Sequence, residues 1–94
     1  MKFTTDANIN KTSLKGYLVA SYDELVKAFG QPVFGGDKVN VIWELQYEDG
    51  TVATIYDWKE PAVPMGRYAW HIGGKSQAAV DLVNDTLTSV FNAA

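Results

Sequence analysis

His71 is the only histidine in the chain, and Glu44, Asp57 and Glu60, in the segment that carries it, are the carboxylates that could join it as ligands. An imidazole with several carboxylates can hold a divalent metal, but known metal motifs repeat fixed offsets that the spacing 44, 57, 60, 71 does not reproduce. Imidazole can also act as general base to a nucleophile. Here the serines and threonines include no G-x-S-x-G elbow and no second base accompanies them. The chain has no cysteine, which removes zinc-thiolate clusters, thiol nucleophiles and redox motifs. His71 is therefore read as hydrogen-bonded to a neighbouring strand or stacked on Tyr56, in a protein that is not an enzyme and needs no cofactor.

Gly73-Gly74-Lys75-Ser76 is the second constellation. Free N–H groups, a lysine and a helix start converge there, as in an anion-binding nest. The P-loop frame G-x-x-x-x-G-K-[ST] is absent, because the residues before Gly73 read as strand. A short strand-to-helix connection is the ordinary use of such glycines, so a nucleotide site on Gly73, Gly74, Lys75 and Ser76 is the alternative reading. Gly35-Gly36 is read as loop.

The third constellation is aromatic. Val39 to Gly74 holds all three tryptophans. Val39, Val41, Trp43, Leu45 and Tyr47 alternate with Asn40, Ile42, Glu44, Gln46 and Glu48, which is the pattern of a strand with one buried face. Two turns fit the following residues. A three-residue Glu48-Asp49-Gly50 loop with Gly50 left-handed sets Leu45 and Trp43 opposite Ala53 and Ile55. A two-residue Asp49-Gly50 turn moves Val52, Thr54, Tyr56 and Trp58 to the core face instead, since a slip of one residue exchanges the faces. The three-residue loop is preferred. It leaves Tyr56 and Trp58 on the second face, where an exposed aromatic cluster marks an interface, while Trp43 and Trp70 serve the core.

Other elements must position these residues. Lys2 to Thr12 reads as an irregular or strand-like arm, and Leu14 to Ala20 as a first strand. Ser21-Tyr22-Asp23-Glu24 has the form of a capping box. Tyr22, Leu25, Val26 and Phe29 follow at helical spacing, and Gly30 with Pro32 supplies the stop, so a helix of about two turns is expected over Tyr22 to Phe29. Val33 to Asn40 reads as a glycine-containing loop. Lys59 to Arg67, with two prolines and a glycine, is a mobile crossing loop. Tyr68 to Ile72 resumes alternation and Gly73-Gly74 ends it. Ser76 is expected to cap a helix whose stripe is Ala79, Val80, Val83, Leu87, Val90 and Phe91.

These elements make one α+β domain over residues 1–94, with a polar arm at 1–13 and the Pro-rich loop at 59–67. The sheet is three- or four-stranded and mainly antiparallel. A short helix precedes the hairpin, and a longer C-terminal helix packs on one face. Ninety-four residues at 47% hydrophobic content suit a single packed core. Five lysines stand against four acids before Val39, and three basic residues against seven acids after it. No segment forms a basic stripe, so direct nucleic-acid binding is not expected. Neither a signal peptide nor a membrane span is read, which points to a soluble intracellular protein without a membrane partner.

The run EDGTVATIYDWK, preceded by a Trp-containing strand and followed by WHIGG, resembles a family of small bacteriophage-encoded proteins. YDELVKAFGQP upstream fits the same pattern, so the resemblance covers Gly16 to Ala79. It supplies no catalytic residues. It implies a phage accessory protein in the host cytoplasm that binds and inhibits a host protein or an immune complex, an anti-defence role of the anti-CRISPR kind, by occlusion. Trp58, Tyr56 and His71, with Glu44 and the Glu60 to Arg67 loop, would supply an aromatic centre and a charged rim. A monomer or homodimer fits this role. Binding or sequestering a nucleotide signal is the alternative, and a virion or scaffold component a further one.

Overall fold

The turn after Tyr47 determines which residues face one another. In the computed structural model, which describes residues 3–5, 9 and 11–92, Gly50 N–H donates to Tyr47 O at 2.9 Å and Tyr47 N–H to Thr51 O at 2.9 Å. Gly50 has φ +90°, a conformation open to glycine because it lacks Cβ. Asp49 closes the turn by accepting from Thr51 N–H at 2.9 Å. This is the three-residue loop, and strands β4 (Val41–Tyr47) and β5 (Val52–Tyr56) pair Trp43 with Ile55 and Leu45 with Ala53.

Around this hairpin the described residues form a sheet of six strands in an antiparallel arrangement: β1 (Phe3–Thr4), β4, β5, β6 (Tyr68–Gly74) and β2 (Ser13–Ala20) in spatial order, with β3 (Val33–Phe34) also on β4. The expectation of three or four strands is too low. Two of the extra strands, β1 and β3, have two residues each, too few to display an alternation, and β3 lies in the segment read as loop. Gly73 and Gly74 also belong to β6 instead of ending it, paired with β5 on one side and β2 on the other. Gly74 lets the last helix approach: a Cβ there would stand 2.5 Å from Ala79 Cβ.

Helix α1 (Tyr22–Phe29) has the bounds its sequence implies. Ser21 Oγ accepts from Glu24 N–H at 3.2 Å and Glu24 Oε1 from Ser21 N–H at 2.8 Å, a complete capping box. Gly30, at φ +86°, ends it. Helix α2 (Ala78–Asn92) begins two residues after Ser76, and Gln77 O accepts from Val80 N–H at 3.0 Å. The stripe of α2 lies on β2, β5 and β6 and meets α1, with Ala79 and Val83 fully buried. No helix among the described residues is long and apolar enough to cross a membrane.

Both helices cover one face of the sheet, and the core between them centres on Trp43 and Trp70. Their rings meet edge-to-face at 5.5 Å and 82°. Each indole is buried, so each N–H needs a protein acceptor. Trp43 Nε1 donates to Gly30 O at 2.7 Å and Trp70 Nε1 to Ala20 O at 2.9 Å. These carbonyls stand at the two ends of α1. Trp43→Phe or Trp70→Phe keeps an aromatic ring but removes the donor and leaves a void. Each is expected to lower stability by about 2–4 kcal/mol, read from urea unfolding midpoints, and the loss should exceed that of Phe91→Leu on the partly exposed end of α2.

Candidate binding face

The register that buries Trp43 and Trp70 turns a second set of side chains to the other face of the sheet. Tyr17 pairs with His71, His71 with Tyr56, and Tyr56 with Ile42. Four adjacent strands therefore contribute one transverse row. The rings touch along it: Tyr17 and His71 at 5.0 Å, Tyr56 and His71 stacked at 5.3 Å and 30°. Trp58, two residues beyond Tyr56, closes the cluster at 6.4 Å from Tyr56 and 6.3 Å from His71. Tyr17 is 55% exposed and Trp58 41%, so the cluster is presented to solvent.

The residues on either side hold Trp58 in place. Asp57 is fully buried, and its carboxylate accepts from Asn40 N–H at 2.8 Å, Asn40 Nδ2 at 2.6 Å and Val41 N–H at 3.2 Å. This use as a tie between the end of β5 and the start of β4 accounts for the acid that stood among possible metal ligands. Lys59 N–H donates to Lys38 O at 2.8 Å, with Lys59 at φ +56°, a left-handed conformation that costs a non-glycine residue on the order of 1 kcal/mol. Trp58 N–H itself donates to Tyr68 Oη at 3.2 Å. Lys38 Nζ and Lys59 Nζ stand 6.0 and 5.8 Å from the centre of the Trp58 ring, within reach of its negative face. Among the described residues neither ammonium has a carboxylate within salt-bridge distance.

Next to the row lies a cleft of about 190 Å³ lined by Tyr56, Trp58, Thr54, Gly73, Ile9 and Thr12 among others. Gly73 keeps it open, since a side chain there would collide with Thr54 Oγ1. That role differs from an anion nest. Lys75 and Ser76 are exposed beyond the end of β6, and the first amides of α2 are engaged, Ala79 N–H with Ser76 O at 3.2 Å.

The structure thus brings Tyr56, Trp58 and His71 into contact. Glu44 shares their face, two residues along β4 from Ile42 and opposite Thr54. Glu60 adjoins through its carbonyl, which accepts from Asn40 Nδ2 at 3.0 Å. Arg67 lies elsewhere: its guanidinium is 3.6 Å from Glu24 at the start of α1. Tyr17 joins the row without having been singled out in the sequence, although the alternation of Leu18 and Ala20 toward the core puts Tyr17 and Val19 on this face. Among the described residues no group of three or more His, Cys, Asp or Glu side chains could hold a metal ion. Comparison with protein-family models, with curated proteins and with solved structures finds no match for the chain.

His71 is half-buried under Tyr17 and Tyr56, and its Nδ1 is buried with no hydrogen-bond partner. Burial lowers its pKa from the ordinary 6.5, and the nearby Asp57 charge offsets part of this. A proton therefore binds the unfolded chain more readily than the folded one. Stability is expected to fall as pH drops through the ordinary imidazole value and to level off below the lowered one. Urea midpoints at pH about 8 and about 5.5 should differ more for the wild type than for His71→Gln, which does not titrate in that window.

Proposed function

We propose that this chain is a non-enzymatic binding protein that acts by occlusion, docking its open aromatic face against a protein target. The observation that carries the reading is the row Tyr17, His71, Tyr56 with Trp58 at its end, an aromatic cluster on a sheet face that the helices leave uncovered. Exposed aromatic clusters of this kind form the energetic centres of protein interfaces, with polar and charged groups around them. Lys38, Lys59, Glu44 and Glu60 supply that rim. The likeness of EDGTVATIYDWK and WHIGG to small phage proteins supports a host protein or immune complex as the target, and inhibition as the outcome. Trp58 is the expected anchor. Trp58→Ala should keep the circular dichroism spectrum and melting temperature within a few degrees of wild type. It should weaken capture of the target from host lysate by about 30-fold or more in Kd, the loss of a residue contributing about 2 kcal/mol. A variant that unfolds, or one that binds as well as wild type, would remove this face from consideration.

The cleft favours a second reading. A space of about 190 Å³ lined in part by aromatic and threonine side chains fits one planar ring, such as the base of a nucleotide signal, better than it fits a macromolecule. Lys75 and Ser76, in the turn before α2, are the groups available to a phosphate. A specific nucleotide at 100 times its Kd would stabilise the fold by about 2.7 kcal/mol. A thermal-shift screen across mono-, di- and cyclic nucleotides tests this, and a flat response to all of them eliminates it.

A further inference from the structure

The edge formed by β3 carries the largest apolar exposure among the described residues. Phe34 is 93% exposed and Val33 52%, and the run from Gln31 to Gly36 contains no charged residue. Sheet edges are normally blunted by charge, because their unpaired main-chain groups can template another strand. The direction of those groups can be read from the ladder. Val33 pairs with Ile42 and Phe34 with Val41, and Gly35 N–H donates to Asn40 O at 3.2 Å. Antiparallel pairing alternates inward and outward residues. Val33 and Gly35 therefore turn their main-chain groups to β4, while Phe34 N–H and C=O point away from the sheet. Beside them lies a groove of about 340 Å³ formed by Tyr22, Gln31, Pro32, Val33 and Val41, with Phe34 on its rim.

The geometry points to a second copy of this chain as the occupant of this edge, bound through an antiparallel β3–β3 pair with Phe34 on the two-fold axis. In that arrangement Phe34 N–H of each copy donates to Phe34 C=O of the other, the two-bond pairing of directly opposed residues in an antiparallel ladder. Opposed residues project to the same face, so the two phenylalanine rings lie side by side, each next to the other copy's groove. A two-fold interface requires one patch that is complementary to itself, and here the projecting ring and the groove belong to the same patch. A partner of different sequence would have to bring a strand edge of its own, whereas a second copy brings the same free Phe34 groups, ring and groove. Pro32 limits the pairing. It stands two residues before Phe34, at the next outward position, and has no N–H to give, so the ladder loses a bond on each side of its central pair. Each copy has one such edge, and the assembly closes as a dimer. The small contact implies a dimer that dissociates on dilution.

Sedimentation equilibrium of the purified chain, from roughly 5 µM to roughly 1 mM, reads this directly. The average mass is expected to rise from 10.3 kDa toward twice that value. Phe34→Asp should hold at the monomer mass, with self-association at least tenfold weaker, and keep the wild-type melting temperature because the side chain is almost wholly solvated. Val19→Asp, on the opposite edge strand β2, should dimerise as wild type does. Hydrogen exchange at the Phe34 amide of the wild-type protein should slow as concentration rises, and this measurement decides the matter alone if Phe34→Asp fails to fold. A monomer at every concentration, undiminished association of Phe34→Asp, or Phe34 exchange that ignores concentration would overturn the dimer.

Discussion

The two indole N–H groups of Trp43 and Trp70 are the constraint around which this structure is arranged. A buried donor left without an acceptor costs about 1–3 kcal/mol. Both tryptophans find one where α1 joins its neighbours, Trp70 at Ala20, the last residue of β2, and Trp43 at Gly30, just after the helix. The length of the helix is thereby matched to the separation of two side chains on β4 and β6. The match also explains the strand order. Leu18 lies opposite Trp70, so β2 must run beside β6 for Ala20 to lie within reach of the Trp70 indole, and α1 follows directly from β2.

Core and candidate binding face are the two parities of a single register. Trp43, Ile55 and Ile72 fill one side of the sheet, and Ile42, Tyr56 and His71, one residue away on the same strands, form the other. Gly50 holds that parity in place through a backbone conformation few residues adopt. The aromatic row therefore cannot be separated from the fold that displays it. The reading of this face as an interface rests on that separation of roles, since burial already accounts for Trp43 and Trp70 and does not account for Tyr17 or Trp58.

Much of this arrangement is legible in the residues themselves. The Ser-x-x-Glu box and the Phe-Gly-x-Pro exit bound α1 correctly, and the EDG turn yields the hairpin register, because in both cases the signal is local backbone chemistry. Of the two-residue strands, β1 falls in the arm that reads as irregular or strand-like, and β3 is not legible, since both exist only through pairing with distant β4 and carry no pattern of their own. Asp57 is a similar case. Its partners Asn40 and Val41 lie 17 and 16 positions away, so a carboxylate that resembles a ligand in the sequence is a strut in the fold. Arg67 was grouped with Trp58 by nearness along the chain, and the intervening loop carries it to α1. Tyr17 lay within reach of the alternation argument, but its strand pairs with a segment more than fifty residues later, which no local pattern reveals.

The tethering of Trp58 has an energetic consequence for any binding event. Asp57 on one side and Lys59 on the other fix its main chain, so the ordering entropy of the anchor is spent when the chain folds and not when a target arrives. Preorganisation of this kind favours rapid, near-rigid docking, with little change in the face itself. It also shifts genetic sensitivity away from the contact surface. If Trp58 anchors a target as proposed, replacing Asn40, which holds Asp57, would loosen that anchor and slow association with every aromatic side chain still present.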